Sequence, residues 1–218
     1  EYGDLEISGF LDYFDSKGFS KKIEQDIIFG KSGSQSPGRS HNRKEKTDLN
    51  LKLSYNNLEV KTKYMKKRRK DYIGVGNALN KESVLRDTYI FSELIYKLAL
   101  SEKLDMTPKV YYDQYNYDPF FEQRPDGHVG TGALAGVPYP DGIKARTRLK
   151  ERTIGFENQF NYNVFKGNEL TFGFQYEWIH QHDIKYWTNF NPQNYIPRAG
   201  AEDHSHDYPF TRRVTRQI

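Results

Sequence analysis

Apolar and polar residues alternate through segment after segment of this chain, the period of a strand whose two faces meet different surroundings. From residue 170 onward, Leu170, Phe172, Phe174, Tyr176 and Trp178 fall on one side, and Thr171, Gly173, Gln175 and Glu177 on the other. Leu104, Met106, Pro108, Val110 and Tyr112 oppose Asp105, Thr107, Lys109, Tyr111 and Asp113. Leu49, Leu51, Leu53 and Tyr55 form another row, as do Leu58, Val60, Thr62 and Tyr64, and Leu5, Ile7, Gly9, Leu11 and Tyr13. Ile154, Phe156, Phe160 and Tyr162 form a further row, with Asn158 a polar intruder in it. Residues 89–99 give a noisier strand. The pattern predicts strands near 4–14, 47–55, 58–67, 87–99, 103–115, 152–164 and 169–182.

The apolar rows carry essentially no charge along their centres, whereas the opposite rows carry Glu, Lys and Asp freely. A Lys or Arg in the middle of a lipid-facing row costs about 2–4 kcal/mol, and almost nothing at the interface. Aromatics reach 15% of the chain, with 17 Tyr and 14 Phe, while hydrophobics total only 36%. Many rings over few aliphatics suit a wall one residue thick with aromatic margins. No run of about 20 apolar residues exists, so a transmembrane helix is excluded. Cysteine is absent, which excludes disulfides and thiolate metal sites. The net charge of +4 is too mild and too dispersed for a nucleic-acid footprint, and no nucleic-acid partner is expected.

Connection lengths carry the second signal. Asn56-Asn57, Ser101-Glu102-Lys103 and Lys166-Gly167-Asn168 are tight turns, and long polar stretches lie between them at 14–46, 68–87, 116–152 and beyond 181. Short turns at one end and long loops at the other are the habit of outer-membrane barrels. The expected fold is therefore all-β, an antiparallel up-and-down transmembrane β-barrel. Seven strands are an odd number, and bacterial single-chain barrels have even ones, so an incomplete portion of a larger barrel is expected. The opening Glu1-Tyr2-Gly3-Asp4 shows no signal peptide, and the closing Arg216-Gln217-Ile218 follows a polar stretch, both in keeping with a fragment.

Three stretches carry a family likeness: the strand and turn from Gly9-Phe10-Leu11-Asp12-Tyr13-Phe14 to Gly18-Phe19, the loop Asp71-Tyr72-Ile73-Gly74-Val75-Gly76-Asn77-Ala78-Leu79-Asn80, and the turn and aromatic strand from Glu102-Lys103-Leu104 to Val110-Tyr111-Tyr112-Asp113. In these the chain resembles the barrel region of TonB-dependent outer-membrane receptors, over residues 4–197. The resemblance implies a barrel of about 22 strands around a plug. It further implies external loops that capture a scarce substrate, above all a ferric siderophore, otherwise cobalamin, and energy delivered by the TonB complex. Outer-membrane lipid and lipopolysaccharide are the implied surroundings, and no cofactor is called for. No plug and no TonB-contacting segment is recognisable in these residues. Two other readings compete: a self-contained small barrel with a structural or adhesive role, and a soluble carbohydrate-binding β-sandwich.

Candidate sites lie in the polar stretches. Phe120, Phe121, Arg124, His128 and Tyr139 offer stacking surfaces and cationic donors suited to catecholate or carboxylate groups, in a glycine-rich loop. Arg68 and Arg69, within the run Lys66 to Lys70, offer fixed positive charge to lipopolysaccharide or an anionic chelate. Each is also an ordinary loop or loop-base residue in the simpler reading. His204, His206 and Asp207 have the donor atoms of a zinc or iron site but no scaffold, and solvated loop residues are the simpler account. No Gly-x-Ser-x-Gly elbow and no His-Glu-x-x-His helix is present, so enzymatic activity is not expected.

Overall fold

The computed structural model describes residues 5–70, 73–207 and 214–217; Glu1, Tyr2, Gly3, Asp4, Asp71, Tyr72 and Ile218, which enter the sequence reading, lie outside them. In chain order the strands are β1 Leu5–Ser16, β2 Lys22–Ile23, β3 Gly38–Arg39, β4 Lys44–Tyr55, β5 Leu58–Lys70, β6 Val84–Tyr96, β7 Leu98–Ser101, β8 Leu104–Tyr117, β9 Phe120–Arg124, β10 His128–Val129, β11 Pro138–Tyr139, β12 Ile143–Phe165, β13 Asn168–Phe190, β14 Pro197–Asp203 and β15 Val214–Gln217. Among the described residues the only helical piece is a single 3-10 turn, Gly132–Leu134. The main sheet has 11 strands in the order β1-β4-β5-β6-β8-β12-β13-β14, with β7, β9 and β15 added at its flanks, and every pairing is antiparallel.

The register puts the apolar rows on one side of this sheet. Ile7 lies opposite Leu53, Leu53 opposite Val60, Val60 opposite Leu94, Leu94 opposite Val110, Val110 opposite Phe156, and Phe156 opposite Tyr176. An unbroken apolar row thus crosses seven long strands. Residues paired across a ladder share a face, so a slip of one residue in any strand would break it. Rings reinforce the join of β12 and β13: Phe160 stacks on Phe172 at 5.1 Å, and Phe156 meets Phe174 at 5.7 Å.

Row by row toward the long loops, this face turns polar. Leu11, Leu49, Tyr64 and Ile90 continue into Gln114, Arg152 and His180. One row further come Tyr13, Thr47, Lys66, Thr88, Asn116, Lys150 and His182. On β12 and β13 the apolar stretch also begins lower, at Tyr162 and Leu170. The belt therefore slants across the sheet. On β12 it runs from Ile154 to Tyr162. Nine residues at about 3.3 Å each extend roughly 30 Å along the strand; the tilt of about 40° usual in a barrel wall would make that roughly 23 Å of height.

Nothing in the described structure covers the belt. Leu170, Phe172 and Phe174 are 53%, 50% and 56% exposed, and Ile7, Leu11, Leu94, Val110 and Ile154 are exposed as well. A carbohydrate-binding sandwich needs a second sheet on this face; the other sheets are the two-stranded pairs β2–β3 and β10–β11. The main sheet is open: among the described residues β1 pairs only with β4, and β13 has no second neighbour from Asn168 to Tyr176.

Several boundaries differ from the sequence reading. β12 starts at Ile143 instead of near 152, and β13 runs to Phe190 instead of 182. The predicted strand at 87–99 splits into β6 and β7 at Lys97, whose N–H bonds back to the Asn57 carbonyl. The stretches at 116–152 and beyond 181 hold β9 to β11 and β14 to β15 instead of plain loop. On β12 the row that is apolar from Ile154 downward turns cationic at Arg152, Lys150, Arg148 and Arg146, so the apolar signal ends before the strand does while the hydrogen-bond ladder persists.

Candidate functional site

Three surfaces can carry function: the polar side of the sheet, the cap formed by the long loops, and the rim between cap and belt.

The polar side is a lattice of cross-strand charge. Lys52 reaches Glu59 at 2.8 Å, Glu59 reaches Lys61 at 2.8 Å, and Lys61 reaches Glu93 at 3.0 Å, linking β4, β5 and β6. Lys109 on β8 meets Glu157 on β12 at 2.5 Å. The Tyr111 hydroxyl donates to Glu177, and the Gln175 amide donates to both, at 2.6 Å and 2.8 Å. The Tyr111 ring lies on the backbone of Gly155, where a Cβ would sit 2.0 Å from the ring. Tyr115 donates to Asp87 at 3.1 Å. A wall this densely charged suits contact with water, since isolated pairs of this kind add little stability.

The cap has a small core of its own. Leu79, Tyr139 and Phe190 are 1%, 1% and 2% exposed, and Ile28, Ala78 and Ala145 are buried as well. Asp26 accepts the N–H of Ile28 at 3.1 Å and of Leu79 at 2.7 Å, which ties the first long loop to the second. Glu122, 2% exposed, accepts the N–H groups of Lys81 and Glu82, each at 3.2 Å. Burial pushes its carboxyl pKa up, and those two donors pull against the rise. The Asn80 amide donates to the Glu122 carbonyl at 2.9 Å. Tyr139 donates to the Tyr195 carbonyl at 2.6 Å, and Tyr195 stacks on Phe190 at 5.1 Å. A cap so bonded is built for a fixed shape.

The sequence candidates scatter over this framework. Tyr139 and His128 are buried in the cap, their rings 5.9 Å apart. Arg124 donates to the Gly76 carbonyl at 3.2 Å and bridges two loops. Phe121 pairs with buried Ala145, on the side opposite Phe120. Phe120 lines a cleft of about 520 Å³ with Arg146, Trp187, Asn189 and Gly200, where β9, β12, β13 and β14 meet. Arg68 and Arg69 point to opposite faces of β5: Arg68 reaches Glu45 at 3.5 Å on the belt side. His204 is buried with its Nδ1 at 2.6 Å from Asp207, and His206 is exposed. Among the described residues no three His, Cys, Asp or Glu side chains gather as a metal centre.

The rim holds residues that the sequence reading passed over. Arg146, Arg148, Lys150 and Arg152 alternate on the belt side of β12, facing Trp187, Lys185, His182 and His180 on β13. Asp118 binds Arg146 through both carboxylate oxygens, at 2.8 Å and 2.7 Å, and this hydrogen bonding holds its pKa below the usual value. The period-two rule, extended upstream from Ile154, would have found the row. Guanidinium and indole side by side offer charge and a flat face to anionic or planar groups. No protein-family model matches this chain, and neither a curated protein nor a solved structure proved similar to it.

Proposed function

We propose that this chain is part of the wall of an outer-membrane β-barrel, and that the parent is a receptor of the TonB-dependent type importing a scarce substrate, a ferric siderophore above all. One observation carries the membrane reading: an apolar belt across seven paired strands, close to the height of an outer-membrane barrel's apolar band, with nothing over it. Contiguous exposed apolar surface on this scale is foreign to soluble monomers. The open edges of β1 and lower β13 support membership of a larger barrel, because each unpaired backbone group in lipid costs several kcal/mol. A self-contained small barrel requires its first and last strands to pair, and no such ladder is present among the described residues. The uptake role rests on the family likeness, on the charged polar wall as a lumen lining, and on the locked cap as a selective mouth.

Two experiments test this in order. The parent protein, with Trp187→Phe and any other indole replaced so that Trp178 is the only one, is folded into vesicles whose acyl chains carry bromine. Quenching of Trp178 is expected at bromine depths near the interface; an unquenched Trp178 overturns the membrane reading. Cells expressing the parent protein are then given labelled ferric siderophore. Uptake should stop when the inner-membrane proton gradient is collapsed, and uptake that continues without it removes the TonB assignment.

A further inference from the structure

We propose that the belt-side face of β12 and β13, just above the apolar belt, binds the phosphate groups of a phosphorylated, acylated glycolipid of the outer leaflet. The inference rests on the membrane reading above and names the lipid partner of that wall.

Five cations share this face: Arg146, Arg148, Lys150 and Arg152 along β12, and Lys185 opposite Arg148. Three carboxylates answer them. Asp118 is taken by Arg146, Asp183 is shared between Lys150 at 2.8 Å and Arg148 at 3.8 Å, and Asp203 lies 3.7 Å from Lys185. Two positive charges are left over. Arg152 faces no carboxylate among the described residues; its Nε is buried without a hydrogen-bond partner, and Nη2 lies 3.3 Å from His180 Nδ1. Its guanidinium sits 5.8 Å over the Trp178 ring, at the margin of the belt. Arg146 and Arg148 lie 5.6 Å and 5.7 Å over Trp187 at the upper end. Asp183 sits at φ 52°, in a bulge that swings it between Arg148 and Lys150 and sets those two cations side by side.

The occupant follows from what adjoins the cations. Directly below Arg152 come Ile154, Phe156 and Phe174, exposed or partly exposed apolar side chains on the same face. A phosphate at Lys150 and Arg152 with acyl chains on that strip uses both surfaces, whereas a free phosphate or an acidic peptide uses only one. The opposite margin of the belt carries no such row: Leu58, Tyr96, Leu104, Tyr162 and Leu170 close it, and its turns hold single lysines, Lys97, Lys103 and Lys166. A continuous cationic row on one margin fits a bilayer whose outer leaflet carries the phosphate.

The test uses the full chain in nonionic detergent, with three probes: bisphosphorylated lipid A, the same lipid stripped of phosphate, and inorganic phosphate. The variants are Lys150→Gln with Arg152→Gln on the rim, and Lys63→Gln with Lys67→Gln on the polar side as an equal charge change. Native mass spectrometry reads the bound lipid. The bisphosphorylated form should bind at least tenfold more tightly than the stripped form. The rim variant should lose at least tenfold, and the polar-side variant should match the unmodified chain. Equal binding of both lipids, or full binding by the rim variant, overturns the proposal. Inorganic phosphate binding as tightly as the lipid overturns the choice of occupant. Quenching of Trp178 in brominated vesicles, recorded in parallel on the parent protein with Trp178 as its only indole, separates the two failures. Quenching without phosphate dependence sinks this inference alone, and no quenching sinks the membrane reading beneath it.

Discussion

The belt and the cap solve the same problem in opposite ways. In the cap, Leu79, Tyr139 and Phe190 are shielded by other parts of the chain, and a buried Glu122 is matched by two backbone donors. In the belt, Phe172 and Phe174 have a neighbour within the sheet and none above it. The cap therefore carries its own apolar medium, while the belt must be given one. Aromatic residues in a sequence thus do not mark a core; what matters is whether another layer of the chain arrives to cover them.

The sharpest way to break this comparison is to empty the cap's core. Tyr139→Ala removes a fully buried ring and its bond to Tyr195, and is expected to cost the cap about 3–5 kcal/mol. Hydrogen exchange should rise across residues 119–142 and 189–200 while Trp178 quenching in brominated vesicles stays unchanged; loss of both together would mean that cap and belt are one unit. Phe174→Lys attacks the other side of the comparison. It should weaken folding into vesicles by about 2–4 kcal/mol in urea titrations, whereas Thr171→Lys on the polar side should be close to neutral. Equal effects would refute the distinction between the faces.

A smaller effect is expected at Gly155, where the new methyl of Gly155→Ala collides with the Tyr111 ring. About 1–3 kcal/mol should be lost. The same change made on a Tyr111→Ala background should cost far less, and a strictly additive double variant would show that the ring does not depend on that space.

The smallest effect is one of pH. Burial raises the Glu122 carboxyl above its ordinary 4.5, so the folded cap holds a proton over a range where the unfolded chain releases it. That contribution is complete below the ordinary value and fades as pH climbs through the raised one. Asp118, lowered by Arg146, works in reverse: its contribution is present above 3.8 and disappears as pH falls through the lowered value. Glu122→Gln should flatten the decline of cap protection above pH 4.5 and leave the acid limb intact, as followed by hydrogen exchange. An unaltered decline would show that another group controls it.

Much of the sheet was legible in the sequence because alternation and turn length act locally. The seven long strands, their tight turns and the shared face of Val60, Val110 and Phe156 all follow from period two and short connections. The cap was not legible. Tyr139 and His128 looked like exposed binding groups because a glycine-rich polar stretch reads as open loop. Loops remote in sequence close over them: Gly33 lies against the His128 backbone, Ser32 bonds to the neighbouring Gly127 carbonyl and Tyr139 bonds to the Tyr195 carbonyl, and no local pattern announces such partners. The cationic rim lay between the two cases. Its spacing was in plain view, but strand β12 was expected to begin only near residue 152.

The hairpin of β12 and β13 outruns the belt. From Thr153 to Ile143 it continues about ten residues, roughly 25 Å after allowance for tilt. If the belt is seated in lipid as proposed, the rows at Lys150 and Arg152 would lie among the headgroups, and the paired ribbon above them would stand clear of the membrane and lift the cap into the medium. A bacteriophage tail, an antibody or a protease approaching from outside would meet this raised platform well before it touched the membrane.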